Sequence, residues 1–374
     1  MAKYRLGVIG FAHMHVNTLI DTFAAHPDVE WVAAADTMPS EPVRSEAQST
    51  RTFNRRRAAE KTGIPQFFDD YHEMLHKEKF DVVICCPENS RHGEVAEAVA
   101  QAGAHIVVEK PMAATFAEAL RMVHAAEDAG VSLAINWPIT WSAQTRTAHR
   151  LVQEGAIGQL FQVKWRGGSL GPLKSLSNRE KAAEWWHHKT DGGGVLLDYC
   201  CYGAMLSRWF TGTRAEAVTG MVANFNSHYG DADDNAVLLA RFPSALCILE
   251  ATWSTVDHGI PTGPIIYGNQ GTIVVERRGN EGIVRLIKKS GDAGEIITSD
   301  PLPEGRNDLA REVLHHIATG EPLHPTMQID LNLDAMAILD AGIRSADTGR
   351  TEPVPSRNWP GPGGKPGVIH ATFA

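Results

Sequence analysis

Lys110 closes the apolar run His105-Ile106-Val107-Val108 and is followed at once by Pro111. A lysine at the C-terminal end of a buried strand points into the crevice where ligands collect in a doubly wound sheet. Its ammonium can bond a substrate hydroxyl and stabilise an alkoxide, and Pro111 fixes the chain beside it. The bland alternative is a surface ion pair. Asp36 ends a second apolar run, where a carboxylate can hold ribose hydroxyls or merely cap a turn. Gly10 ends the first run and opens a turn that carries G-x-G-x-x-G in dinucleotide-binding folds. Here the three positions read Gly10, Ala12 and His15. Ala12 adds a methyl where backbone approaches pyrophosphate, and His15 is bulky where helix packs on strand. His15 therefore reads as packing, and His13, in the turn, as a donor to phosphate or substrate. Two histidines do not make a metal site, and no metal is expected.

Trp185-Trp186-His187-His188-Lys189 is polar and aromatic, and precedes Gly192-Gly193-Gly194. Indoles stack on sugar C–H faces while His and Lys bind hydroxyls. Trp186, His187 and Lys189 are expected at a substrate, with one tryptophan in the core. Trp137, after the last run of the first half, lines a cleft or packs the joint between domains. Asp198 and Tyr202 are one helical turn apart and share a face. Cys200 and Cys201 lack an evident activating base and read as packing residues.

These residues need a scaffold, and residues 1–136 supply a rhythm of strands and helices. Strands fall at 6–10, 31–35, 81–84, 105–108 and 131–135, and helices at 14–25, 94–102 and 116–129. Repeated βα units imply a parallel sheet with helices on both faces, a Rossmann domain. Residues 38–52, rich in Ser, Thr, Pro and Glu, read as a surface insertion. From residue 137 to 374 the pattern changes to an α/β domain with a large open, mostly antiparallel sheet. Its strands are expected near 160–165, 215–221, 236–242, 246–253 and 272–276, with helices at 142–153, 308–318 and 331–346. Residues 353–366 are expected to be extended.

The length of 374 residues suits two domains. A net charge of −9 and the isolated run Arg55-Arg56-Arg57, read as a charged helix face, argue against a nucleic-acid partner. No apolar stretch is long enough for a membrane. The five cysteines lack zinc spacing and fit a reducing, cytoplasmic setting.

Val107-Val108-Glu109-Lys110-Pro111 resembles the Glu-Lys-Pro motif of the Gfo/Idh/MocA family of oxidoreductases. Further matches follow in order. The strand 81–84 leads to Pro87, Asn89 and His92; Gly103-Ala104-His105 and Gln153-Glu154-Gly155-Ala156-Ile157-Gly158 are similar to family turns. Gly192 to Asp198 resembles the approach to its catalytic helix. The resemblance implies Lys110, Asp198 and Tyr202 as catalytic residues, with Tyr202 where many members carry His. It implies Gly10, Ala12, His13, Asp36, Pro87, Asn89, His92, Glu109 and Lys110 at the cofactor. It also implies hydride transfer between a nicotinamide cofactor and a hydroxyl carbon of a sugar, cyclitol or related polyol, in a homo-dimer or homo-tetramer. NAD is expected over NADP, because Asp36 repels a 2′-phosphate and no arginine follows it immediately. An NAD-dependent glycosidase and a non-catalytic sugar or nucleotide sensor are the alternatives.

Overall fold

A computed structural model describes residues 4–278 and 281–355. The expected extended segment 353–366 lies outside the described residues beyond 355. Six parallel strands make the first sheet: β1 (Tyr4–Ile9), β2 (Val29–Ala35), β3 (Phe67–Phe68), β4 (Val82–Cys85), β5 (His105–Glu109) and β6 (Leu133–Asn136). Their order is 3-2-1-4-5-6. Side chains alternate between two apolar layers: Leu6, Val8, Val82, Ile84 and Val107 face one, and Ile9, Val83, Cys85, Ile106 and Val108 the other. Both faces of a parallel sheet must be covered. The helices are α1 (Val16–Ala24), α2 (Arg51–Thr62), α3 (Tyr71–Lys77), α4 (His92–Gln101) and α5 (Phe116–Ala129). A capping box of Thr115 and Glu118 starts α5, and Gly130 at φ +65° stops it.

The second domain begins with α6 (Ala143–Gln153), β7 (Leu160–Gly168), the single-turn α7 (Asn178–Lys181) and α8 (Cys201–Thr211). Strands β8 (Ala217–Ala223), β9 (Asn235–Arg241), β10 (Leu246–Thr252), β11 (Ile265–Gly268), β12 (Gly271–Arg278), β13 (Glu281–Ile287) and β14 (Glu295–Ile297) follow. Then come α9 (Leu309–Thr319), α10 (Ile329–Thr348) and β15 (Glu352–Pro353). The nine strands run 14-13-12-11-7-10-9-8-15. Every neighbouring pair is antiparallel except β7 with β10.

The structure departs from the sequence reading in several places that bear on the site and the domain division. Helix α1 starts at Val16, because residues 13–15 form the turn that carries both histidines. The expected insertion is shorter, and its last two residues, Arg51 and Thr52, open α2. A division at residue 136 also omits a return crossing. Leu309, Ala310, Val313 and Leu314 of α9, with Leu323 and Met327, share a core with Leu6, Val8, Leu19 and Phe23. The face covered by α1 has apolar surface left over, and α9 buries it from the far end of the chain.

Candidate active site

The C-terminal ends of β1, β2, β4 and β5 open on one crevice, and residues 185–202 of the second domain close over it. Gly10 has φ +90°, and a Cβ there would stand 2.3 Å from the Pro87 nitrogen, so only glycine lets the turn after β1 lie against the turn after β4. Trp185 Nε1 donates to the Ala12 carbonyl at 3.2 Å, and Asn89 Nδ2 donates to the Gly192 carbonyl at 2.8 Å. Gly192 has no room for a side chain, because its Cβ would meet Asn89 Cβ at 2.7 Å.

Lys110 is the best-defined group in this crevice. It is 1% exposed, and Nζ donates to Asp198 Oδ1 at 2.7 Å and to the Asp198 carbonyl at 3.0 Å. Burial alone would lower its pKa. The Asp198 carboxylate reverses that and holds the ammonium well above lysine's ordinary value. An ammonium has three N–H groups, so one remains for a ligand. Leu196–Cys200 forms a wide π-helical turn ahead of α8. Such turns recur at functional sites because they release backbone groups from the regular ladder. Here the Asp198 carbonyl accepts from Lys110 and, at 3.1 Å, from Cys201 Sγ. Asp198 Oδ2 accepts from Trp253 Nε1 at 3.2 Å, so both carboxylate oxygens are fixed. Cys200 packs under β10 with Sγ 3.9 Å from the Leu249 carbonyl. Both cysteines are buried, and burial raises their thiol pKa values, as packing residues require.

Tyr202 stands beside Lys110, whose Nζ lies 5.0 Å from its ring centroid. The ring is wedged between Trp165, stacked at 5.6 Å, and Trp137, edge-on at 5.2 Å. Burial pushes the phenol well above its ordinary pKa, and the pull of Lys110 does not offset this. A cavity of about 430 Å³ lies in front of these groups, lined among others by His13, His15, Lys110, Trp186, Asp198 and Tyr202. Its outer wall is the loop 171–175 and the tip of the insertion, Gln48 and Ser49.

Other expected residues fall differently. Trp186 lines the cavity, its ring 4.7 Å from that of His13. Trp137 is 1% exposed, donates to Asn332 Oδ1 at 2.7 Å and backs Tyr202; it is a joint residue, not a cavity wall. His187 turns to the opposite side, edge-on to Tyr229 and Trp253, with its pKa pushed down to about 3 by burial. Lys189 is exposed and lies outside the cavity wall. The short turns at Trp185–His187 and Lys189–Asp191 send successive side chains in different directions, so composition could not tell which face each occupies. His92 is wholly buried beneath the turn after β5 and donates from Nδ1 to the Pro111 carbonyl at 3.0 Å. It positions the Lys110 loop, and its Nε2 is buried without a protein partner.

At the other end of the crevice, Asp36 Oδ1 accepts from the backbone N–H groups of Phe11, at 3.1 Å, and Thr37, at 2.9 Å. The guanidinium of Arg51 reaches the same oxygen and also pairs with Glu88. Thr37 Oγ1 donates to Glu88 at 2.9 Å. The sequence reading found no arginine directly after Asp36; the fold brings one from fifteen positions on. Asp36 Oδ2 has no partner among the described residues. Arg51, Glu88 and Glu184 surround a space of only about 20 Å³.

Glu109 was expected at the cofactor and His15 in plain packing, and the structure joins them. His15 Nδ1 and Glu109 Oε1 are 2.7 Å apart, and Asn136 Nδ2 donates to Glu109 Oε2 at 2.7 Å. With His13 they form a cluster whose possible ligand atoms lie within 4.8 Å. A hydrogen bond already takes one of the ring lone pairs. His13 Nδ1 accepts from the His15 backbone N–H at 3.1 Å, so the neutral ring carries its proton on Nε2. Burial, followed by the charges of His15, Lys110 and His92, holds the His13 pKa well below its usual value. His13 is therefore a neutral N–H donor without a protein partner. Sequence reasoning missed Arg51, Trp253 and the His15–Glu109 pair, which all depend on long-range contacts.

Two family models match the chain. One, described as an oxidoreductase family with an NAD-binding Rossmann fold, covers residues 4–137; the other, a GFO/IDH/MocA C-terminal domain, covers residues 145–274. The chain belongs to the Gfo/Idh/MocA family of oxidoreductases. Among relatives, myo-inositol 2-dehydrogenase of Thermotoga maritima is 24% identical over 71% of this chain and 78% of its own length. Levoglucosan dehydrogenase of Pseudarthrobacter phenanthrenivorans is 26% identical over 74% and 75%. An aldose-aldose oxidoreductase from Caulobacter crescentus, solved with glycerol, shares the fold with a TM-score of 0.74 at 22% identity, over 94% of this chain and 99% of its own. Among the described residues, no helix is long and apolar enough to cross a membrane.

Proposed function

We propose that this oxidoreductase uses NAD to interconvert a hydroxyl and a carbonyl on a sugar, cyclitol or related polyol. The carrying observation is Lys110: a buried cation, fixed by Asp198, with one N–H left over in a cavity. The crevice suits a dinucleotide. It ends in partnerless buried polar atoms, His13 Nε2 and Asn89 Oδ1, and Asp36 keeps one carboxylate oxygen open at the end of β2. The turn 10–15, Asp36, Pro87, Asn89, Glu109 and Lys110 would hold it. When bound, the nicotinamide takes or gives the hydrogen together with its electron pair.

Lys110 binds the substrate oxygen and stabilises its negative charge as the carbonyl forms or collapses. Asp198 keeps that ammonium charged and aimed. Tyr202, held neutral by burial, donates its phenolic hydrogen toward the same oxygen and supplies a proton in the reducing direction. Trp186, buried and stacked on Trp185 at 4.0 Å, shapes the cavity wall behind a sugar without offering it a free ring face. The named relatives act as dehydrogenases on cyclitol and anhydrosugar substrates, which supports this reading over a glycosidase or a sensor.

Buried, unpaired cysteines support a reducing, cytoplasmic setting. The outer face of the large sheet carries Met221, Val237 and Leu239 exposed on adjoining strands, with Met221 opposite Val237. Such a patch supports a homo-oligomer. The test of function is a screen of myo-inositol, levoglucosan and free aldoses with NAD⁺ and NADP⁺, followed at the reduced-nicotinamide absorbance. Reduction of NAD⁺ by at least one polyol is expected. Silence from all of them in protein that binds NADH would overturn the reading.

A further inference from the structure

A proton must enter or leave the cavity with each turnover, and the groups already assigned cannot take it near neutral pH. Lys110 is held charged, and Tyr202 is held protonated. His13 has given its basic nitrogen to a backbone N–H. Asp198 has both oxygens engaged. Tyr199 donates to Ser169 Oγ at 3.3 Å, and burial raises its pKa as well.

His15 is different. Its ring lines the cavity, and Nδ1 donates to Glu109 at 2.7 Å. Its Nε2 makes no hydrogen bond among the described residues. Glu109 is 0% exposed and is itself fixed by Asn136. A buried carboxylate that orients an imidazole, sets its tautomer and balances its charge when protonated is the arrangement of a general base. We propose that His15 is the acid–base residue of this enzyme and Glu109 its positioning residue, with the third glycine position of the dinucleotide turn given over to proton transfer. This rests on the dehydrogenase reading above.

In the oxidising direction the substrate O–H bond breaks and an Nε2–H bond forms on His15. The electron pair of the O–H bond stays on oxygen and goes into the new C=O bond, while the C–H pair leaves with hydrogen to the dinucleotide. Imidazolium charge then faces Glu109. In reduction the same proton returns, directly or through the Tyr202 hydroxyl. The charged and titratable groups around His15 are His13 on its own turn, Glu109 and Lys110 from β5, Asp198 and Tyr202 from the helix start, and Lys174 from the outer loop. The Glu109 carboxylate is in contact with the ring, and Lys110 is already paired with Asp198.

The test uses intact protein carrying ¹³C-labelled histidine, with His15→Gln to assign the His15 resonance. The ring carbon shifts report the tautomer without substrate. The Nδ1–H tautomer is expected, which leaves Nε2 free to accept a proton. With myo-inositol and NAD⁺, Glu109→Gln should displace the acid limb of turnover. His15→Gln should abolish that limb, and added imidazole should restore part of the rate. An Nε2–H tautomer, an acid limb that ignores Glu109→Gln, or one that survives His15→Gln overturns the proposal. So does a stoichiometric zinc ion in the purified protein. If no polyol turns over, the dehydrogenase reading fails, while the tautomer still decides whether Glu109 sets the imidazole. Should Glu109→Gln not fold, the wild-type tautomer and His15→Gln decide.

Discussion

The two ends of the crevice use one device for different ends. At each, a buried cation is clamped by carboxylates: Lys110 by Asp198, and Arg51 by Asp36 and Glu88. Around Lys110 the clamp uses two of three N–H groups and leaves a cavity of about 430 Å³ in front. Around Arg51 two carboxylates meet one guanidinium, and the space beside them is about 20 Å³. The first end presents charge to a ligand. The second holds charge inside the protein and offers one open carboxylate oxygen. In the proposed function, chemistry belongs to the first and selection of the dinucleotide to the second.

The largest expected effect is at the open clamp. Lys110→Ala removes the group that meets developing charge and strands Asp198. Turnover should fall by at least the roughly 10²–10³ lost with one electrostatic donor, and mainly in kcat. NADH titration of the folded variant should show a loss of affinity far smaller than the loss of turnover. Near-normal turnover would remove Lys110 from the mechanism and erase the contrast between the two ends. Tyr202→Phe comes next. It keeps the ring between Trp137 and Trp165 and deletes the hydroxyl, so a drop of about 10² is expected, at the lower end for acid–base groups. Wild-type turnover across the pH range would make Tyr202 a wall residue only.

At the closed clamp, Asp36→Ser should weaken NAD by about 1.5–3 kcal/mol, the worth of hydrogen bonds to a charged group. It also releases Arg51 from one of its two partners, and an arginine is well suited to a 2′-phosphate. NADP affinity should therefore rise while NAD affinity falls, as calorimetry with both dinucleotides would show. A parallel loss for both would mean that Arg51 stays on Glu88 and takes no part in selection.

Much of the open end is legible in sequence because it is local. Lys110 sits at a strand end inside a recognisable motif, and Asp198 and Tyr202 share one short segment. The closed end is not legible: Arg51 reaches Asp36 across an irregular loop of the composition that normally marks plain surface. His15 and Glu109 are ninety-four positions apart, and each looks structural until the other is in place. The same limit explains the misassigned aromatics. Trp137, Trp186 and His187 have similar chemistry, and only packing tells which one faces the cavity. Of the second sheet, β11, β13 and β14 escaped notice because glycine and charged residues interrupt their alternation. The return of α9 to the first domain leaves no trace in periodicity, which shows that a helix has an apolar face but not which surface it covers.

The smallest effect sharpens the contrast through stability. Glu184 lies beside the closed clamp, and burial pushes its carboxyl up to about 7, against a partial pull from Arg51. An unfolded glutamate titrates near 4.3. Between these values the folded chain binds the proton that the unfolded chain has lost. Stability from this group is therefore undiminished at pH 4 and declines as pH rises toward 7, beyond which the penalty is constant at up to about 3–4 kcal/mol. Glu184→Gln keeps the shape and removes the titration. Its melting temperature should match the wild type near pH 4.5 and exceed it by a few degrees at pH 8. Arg51 already has two carboxylates, so loss of a third leaves it satisfied. Asp198, at the open end, gives the opposite comparison, since its carboxylate is in contact with Lys110 and Asp198→Asn strands that cation. That variant should lose stability at pH 8. If Glu184→Gln melts with the same offset at both pH values, the carboxyl is ionised throughout, and the closed end tolerates one more charge than its geometry implies.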